Sequence, residues 1–253
     1  MGFPLEDWLE RCIEIADRAG DAIMEVYARP EIEKVVKDDK SPLTEADLAA
    51  NRIIVDALKT LTPDIVIVSE EEAEKCEGHK TFWLVDPLDG TREFLKRNGE
   101  FTVNIALVHN GLPVLGVVSA PALGGVYAGG QGLPARKREN GEWSKIETDK
   151  NSPSTVRIVA SRSHGSNEVD LWIEKNFTAV ELLSVGSSLK FCMVAEGKAH
   201  YYPRFGRTME WDTAAGQAVL MAAGGSVITL DNQPFIYGKK GFENPHLIAK
   251  HNL

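Results

Sequence analysis

The segment Trp83-Leu84-Val85-Asp86-Pro87-Leu88-Asp89-Gly90-Thr91-Arg92 constrains this chain more than any other. An apolar run stops abruptly at two acids three residues apart, and a Gly-Thr step follows. Asp86 and Asp89 offer carboxylate oxygens, and the bend can leave the Leu88 carbonyl free. Gly90 lets the backbone approach an anion, and the amides around Thr91 can point at it. Mg²⁺ takes oxygen ligands and is commonly shared between a few carboxylates and a substrate phosphate. Taken by itself, the simpler account is a strand ending in an ordinary Asp-Gly turn.

The chain has the apolar content to bury such a strand. Its 253 residues are 43% hydrophobic and 26% charged, which suits one large domain or two small ones sharing a core. The net charge is −9 and there is no long basic run, which argues against a nucleic-acid polymer as partner. A small anionic substrate remains compatible, because bound cations invert the local field. Cys12, Cys76 and Cys192 are far apart, and no Cys-x-x-Cys pair or His-rich cluster suggests zinc. Free thiols fit a reducing cytoplasm. Met1 to Ile15 is acidic and lacks a basic leader and a long apolar core, so no secretory signal is expected. No apolar run approaches the roughly 20 residues that span a bilayer. The expected location is the cytoplasm, with peripheral attachment to the inner face of a membrane left open.

Leu9, Cys12, Ile13, Ala16, Ala19, Ile23 and Val26 recur at helical spacing and predict an amphipathic helix over Leu5 to Tyr27, closed by Pro30. Glu31 to Asp39 reads as a charged hairpin or loop. Thr44 to Leu61 is a second helix, stopped by Pro63. Ile65 to Val68 and Thr81 to Val85 read as strands. Val103 to Val108 and Pro113 to Ala120 form a hairpin around Asn110-Gly111, and Gly124 to Ala128 is a further strand. The polar stretch 129–153 has no sustained period and reads as a connection.

A boundary near its end separates an α+β half, 1–153, from a half, 154–253, in which strands and helices alternate as in an α/β layer. The predicted strands of that second half are Val156 to Ala160, Val180 to Leu183, Ala199 to Tyr202, Gly225 to Thr229 and His246 to Ala249. Its predicted helices are Val169 to Phe177, Ser188 to Glu196 and Thr213 to Ala223.

Three further acids lie where elements end: Asp47, Glu70 and Asp212. If the sheet brings these ends together, Glu70, Asp86, Asp89 and Asp212 form an acidic pocket. Four carboxylates there would repel one another, and divalent cations would resolve the conflict. Two metals about 4 Å apart are a standard device for phosphoryl transfer. Each acid also has a plainer role. Asp47 lies three residues after Thr44 and can complete a capping box. Asp212 can cap the helix that follows it. Glu70 to Glu72 can be a solvated acidic turn. Ser187-Ser188-Leu189-Lys190 at a helix start and Tyr202-Pro203-Arg204 after a strand can hold an anion, or be a capped helix and a snorkelling surface pair. His164 can be an exposed loop histidine.

An acid on an early helix, a Glu-Glu pair after a strand, Asp-Pro-Leu-Asp-Gly-Thr and a late Trp211-Asp212 occur here in order. In this pattern the chain resembles the Mg²⁺-dependent, lithium-sensitive phosphatase superfamily that includes inositol monophosphatase. Within it, residues 41–47, 96–102, 186–192 and 202–206 are most similar to the 3'(2'),5'-bisphosphate nucleotidases. Arg92 stands where those proteins commonly carry Lys, which keeps the charge but binds phosphate as a fork.

The resemblance implies a layered αβαβα sugar-phosphatase fold. It implies roughly two or three Mg²⁺ per site, held by Glu70, Asp86, Asp89, Asp212 and the Leu88 carbonyl. Asp47, Thr91 and Glu70 would be catalytic, with Asp47 and Thr91 activating the attacking water. Gly90 and Thr91 would hold phosphate oxygens, and His164, Ser187, Lys190, Arg204 and Asp212 would contact the substrate. The first half would then carry most metal ligands, and the second the nucleotide contacts and Asp212. The implied reaction removes the 3'-phosphate of adenosine 3',5'-bisphosphate, a by-product of sulfur assimilation. An inositol or fructose phosphate as substrate, and a non-catalytic module sensing metal and nucleotide, are the alternatives.

Overall fold

The computed structural model describes residues 2–36, 42–72, 78–151, 154–160 and 167–252. Helix α1 (Leu5–Tyr27) forms as its spacing predicts, with all seven periodic apolar residues buried. The charged stretch after it is a small antiparallel pair, β1 (Lys34–Val36) with β2 (Pro42–Thr44). Residues 37–41, between them, lie outside the described residues. Helix α2 (Glu45–Leu61) starts directly from β2.

A seven-stranded sheet follows. It comprises β3 (Val66–Ser69), β4 (Thr81–Asp89), then after the short helix α3 (Thr91–Leu95) strands β5 (Thr102–His109), β6 (Leu112–Ala120), β7 (Gly125–Gly130), β8 (Leu133–Glu139) and β9 (Glu142–Lys145). The strands lie in chain order. Only β3 and β4 run parallel; every later neighbour is antiparallel. Asn110 and Gly111 both take positive φ, 51° and 79°, the backbone that a tight two-residue hairpin demands. Helices α1 and α2 cover one face, where their apolar sides meet Trp83, Val85, Ile105 and Val117.

The second sheet contains β10 (Val156–Ala160), β11 (Val180–Ser184), β12 (Tyr201–Arg204), β13 (Ser226–Thr229) and β14 (Leu247–Lys250), with helices α4 (Asn167–Asn176), α5 (Leu189–Ala195) and α6 (Ala214–Ala222). Its order is β11-β10-β12-β14-β13. The first three strands are parallel, as alternation predicts, and β14 runs antiparallel to both its neighbours. Helices α5 and α6 share one core with Phe82, Leu84 and Val118 of the first sheet and Tyr202 and Leu247 of the second. Helix α4 packs Val169 and Ile173 against Ile158 and Ile248. The layers are therefore helix, sheet, helix, sheet, helix.

The polar stretch 129–153 departs from its predicted character. It contains β8 and β9, a hairpin at the sheet edge. The inward positions of β8 are Ala135 and Lys137, too little apolar surface to register as a strand pattern. Lys137 is neutralised by Glu139 at 2.9 Å and Glu196 at 3.3 Å, and Arg138 pairs with Asp17 of α1 at 2.5 Å. Charge on an edge strand also discourages pairing with other chains.

Helix α6 lies so close to β6 that a Cβ at Gly116 would stand 2.5 Å from the Ala215 carbonyl oxygen and 2.7 Å from the Ala218 Cβ. Neither neighbour is a flexible side-chain end, so Gly116→Ala is expected to destabilise by about 1–3 kcal/mol. A lowered midpoint in thermal unfolding would register it.

The connection between the sheets is pinned by Asp149. Its carboxylate accepts the Asn151 N–H at 3.0 Å, His200 Nε2–H at 3.2 Å and Arg157 Nη2–H at 3.0 Å. His200 is fully buried, and its Nδ1 accepts the Arg157 backbone N–H at 2.8 Å, which places the ring proton on Nε2. Burial holds this imidazole below the ordinary histidine range.

The Asn151 N–H, then His200, then Arg157 hold the Asp149 carboxyl below its ordinary value of 3.8. A depressed carboxyl stabilises the fold fully above that ordinary value and loses the contribution as pH falls through the folded pKa. Asp149→Asn should therefore lower the unfolding midpoint at pH 7, and the gap to wild type should shrink below about pH 4. Among the described residues no helix is long and apolar enough to cross a membrane.

Candidate active site

Strand β4 does not stop at Val85, as its apolar run suggests, but continues to Asp89. Its pairing with β5 shifts between Asp86↔Asn104 and Asp89↔Thr102, so three steps on β4 face two on β5. Pro87, with no N–H to give the ladder, sits in this bulge. In a plain strand residues three apart point to opposite faces. The extra residue restores Asp86 and Asp89 to one side. The Leu88 N–H donates to Asp86 Oδ1 at 3.1 Å. Gly90 then turns the chain at φ 90°, and a Cβ there would meet the Glu100 carbonyl at 3.2 Å, so conformation and space both call for glycine.

Asp47 uses its two carboxylate oxygens on different partners. Its Oδ2 accepts the Thr44 N–H at 2.8 Å and the Thr44 hydroxyl at 2.6 Å, capping α2. Its Oδ1 accepts the Thr91 hydroxyl at 3.2 Å, with the Leu88 carbonyl 3.3 Å from that hydroxyl. Residues 44 apart are thus joined across the bulge. Burial pushes the Asp47 carboxyl up, and the Thr44 and Thr91 hydrogen bonds oppose that shift.

Glu70 follows β3, and its N–H donates to the Val85 carbonyl at 3.1 Å. Asp212 ends a 3₁₀ turn, Glu210–Asp212, just before α6. It does not cap α6 itself; Thr213 holds that position. The Asp212 carboxylate instead accepts the Met209 N–H at 2.9 Å. Glu70, Asp86, Asp89, Thr91 and Asp212 line one pocket with Leu88 and Arg204. Burial first, then Glu70, Asp89, Asp212 and Asp47, push the Asp86 carboxyl well above the carboxylate range. Burial, then Asp89 and Glu70, push Asp212 up to about 8, against the pull of the Met209 N–H and Arg204.

A second recess opens beside this pocket and shares Asp89, Gly90, Glu93, Arg204 and Asp212 with it. Ser187 and Lys190 lie in this recess. The Lys190 ammonium is buried and donates to the Ser187 carbonyl at 2.6 Å and the Val185 carbonyl at 3.3 Å. Burial lowers it to about 8, with Asp89, Glu93 and Glu100 opposing. Arg204 Nε is buried with no hydrogen-bond partner among the described residues. A guanidinium nitrogen in that state beside a recess suits an incoming anion. His164 lies outside the described residues.

The structure adds residues the sequence did not single out. Glu210 is fully buried and binds the Gly238 and Lys239 N–H groups at 2.8 Å each and the Lys239 ammonium at 2.7 Å. It fixes the chain just before Asp212. Thr102, Asn104 and Ser188 touch the Asp89 region. Thr102 and Asn104 signal themselves only by polarity at positions otherwise apolar, in Thr102-Val103-Asn104-Ile105, whereas Ser188 lies in the Ser-Ser-Leu-Lys step read above as an anion site.

Residues 5–252 match the inositol monophosphatase family. The chain belongs to that family. It is 48% identical to the 3'(2'),5'-bisphosphate nucleotidase CysQ of Escherichia coli O157:H7 over 243 residues, covering 94% of this chain and 97% of the relative. The CysQ of Salmonella typhimurium is 49% identical over 247 residues, again covering 94% and 97%. The crystal structure of CysQ from Bacteroides thetaiotaomicron superposes with a TM-score of 0.86 at 39% identity and covers 98% of both chains. The inositol monophosphatase of Anabaena shares the fold at a TM-score of 0.80 and 23% identity, covering 99% of this chain and 92% of that one.

Proposed function

We propose that this chain is a Mg²⁺-dependent phosphatase that removes the 3'-phosphate of adenosine 3',5'-bisphosphate, giving AMP and phosphate. The observation that carries it is a recess lined by the buried Lys190 and by Arg204 that opens beside the acidic pocket. A bisphosphate needs two anion positions, and the recess adds Lys190 and Ser187, which do not line the acidic pocket. The 47–49% identity to CysQ relatives over nearly the whole chain points the same way.

The donor set fits Mg²⁺. Glu70, Asp86, Asp89, Asp212 and the Leu88 carbonyl are all hard oxygen ligands, and the burial and mutual repulsion that lift Asp86 and Asp212 are offset by cations. When bound, Mg²⁺ supplies charge neutralisation on the phosphoryl oxygens and on the departing 3'-oxygen.

In this reading the first half of the chain contributes most of these ligands and the second contributes Asp212 and the nucleotide contacts. Thr91 gives its proton to Asp47, so its oxygen is free to accept a hydrogen from the attacking water, and Asp47 is the base behind it. The water attacks phosphorus in line with the 3'-oxygen. Gly90 and Thr91 amides hold phosphate oxygens. Lys190 and Arg204, with Ser187, hold the phosphate that stays. Catalysis is then positioning and electrostatics.

Initial rates of phosphate release from the nucleotide, inositol 1-phosphate and fructose 1,6-bisphosphate, with Mg²⁺ and with EDTA, test this. The nucleotide should be preferred and EDTA should abolish release. Preference for either sugar phosphate would overturn the nucleotide assignment, and tight nucleotide binding without release would make the chain a binding module.

A further inference from the structure

The start of β5 and the turn before α5 are fastened rung by rung. The Gly186 N–H donates to Glu100 Oε2 at 2.9 Å, the Thr102 and Ser187 hydroxyls lie 2.5 Å apart, and Asn104 Nδ2 donates to Ser188 Oγ at 2.9 Å. Thr102 and Asn104 share one face of β5 because they are two apart. Two of these groups reach on to Asp89. Ser187 Oγ and Ser188 Oγ donate to the same carboxylate oxygen, Oδ2, at 2.6 and 3.0 Å. Ser188 Oγ is also 2.8 Å from the Asp212 carbonyl oxygen.

A serine hydroxyl has one proton to give and lone pairs to receive. Asn104 fills a lone pair of Ser188, which leaves the Ser188 proton for Asp89 Oδ2 and the Asp212 carbonyl. With Ser187 giving its proton to Asp89, the Thr102 hydroxyl donates to Ser187 Oγ, and Asn104 Oδ1 lies 3.2 Å from that hydroxyl. Asn104 and Ser188 are 1% and 2% exposed, so water does not compete for these bonds.

Resting on the metal reading above, we infer that Asn104 and Ser188 are positioning residues that set the distance between Asp89, from the first sheet, and Asp212, from the second. Neither is charged, and they act through the two acids. The metal affinity of the protein therefore depends on an amide and a hydroxyl that join the two halves. Hydrogen-bond partners behind metal ligands typically contribute 10- to 100-fold in affinity.

The test is direct calorimetric titration of the substrate-free protein with Mn²⁺, alongside thermal unfolding. Ser188→Ala and Asn104→Leu should each weaken Mn²⁺ binding by roughly tenfold or more. The double variant should bind about as weakly as either single one, because the two residues act in series. Ser188→Thr keeps the hydroxyl and should recover most of the affinity. Asp149→Asn, which loosens the connection between the sheets elsewhere, should lower the unfolding midpoint and leave Mn²⁺ binding unchanged.

If wild type binds Mn²⁺ and both variants bind it equally tightly, the inference fails while the metal reading stands. The same holds if Asp149→Asn weakens binding as much as they do. A wild-type protein that binds no Mn²⁺ overturns both.

Discussion

Asp89→Asn is expected to lower turnover at least about 100-fold at saturating Mg²⁺, more than the loss of a group standing behind a metal ligand produces. Asparagine has nearly the same shape, and its Oδ1 can still accept the Ser187 and Ser188 hydroxyls, which lie at 2.6 and 3.0 Å from Asp89 Oδ2. What it lacks is a negative charge in a pocket where Asp89 acts on both Asp86 and Asp212. The unfolding midpoint should accordingly stay the same or rise, because repulsion is relieved while the bonds remain. Phosphate release at increasing Mg²⁺ reads the effect. Wild-type rates in the purified variant would remove Asp89 from the metal site.

The Asp47–Thr91 pair carries the second large effect. Asp47→Asn and Thr91→Val should each reduce kcat by roughly 10²- to 10⁴-fold, the range for loss of a positioned acid–base group, with little change in KM. The two losses should not multiply, since either one breaks the same relay. Asparagine is the informative replacement at 47. It can still accept the Thr44 N–H and so keep the start of α2, whereas alanine would mix a lost cap with a lost base. Steady-state kinetics of the two single variants and the double variant decide it. A double variant whose loss equals the product of the two single losses would show independent roles.

These cases also mark how far the sequence could be read. Helix α1 and the β5–β6 hairpin were legible because each rests on local rules: seven apolar residues at helical spacing, and an Asn-Gly step between strands. The strand-helix alternation after residue 154 was legible for the same reason. Strands β8 and β9 were not, because their inward face is closed by Lys137 and its distant partner Glu196, and an ion pair between elements leaves no period along the chain.

At the site, the acids were visible as residues at the ends of elements, and the superfamily pattern grouped them. Two things were hidden. The capping and catalytic accounts of Asp47 looked like rivals in sequence, yet one oxygen meets Thr44 and the other meets Thr91, so the two are compatible. Ser188 and Asn104 carry no charge, and their meaning appears only when residues 84 apart are seen to touch.

The irregular step at Pro87 and Leu88 has a consequence for how this site can vary. The one-residue mismatch between the two strands has to stay open. A residue inserted in β5 between Thr102 and Asn104 would make the ladder regular and turn Asp89 toward the opposite face of the sheet. The better-formed strand would be the inactive one.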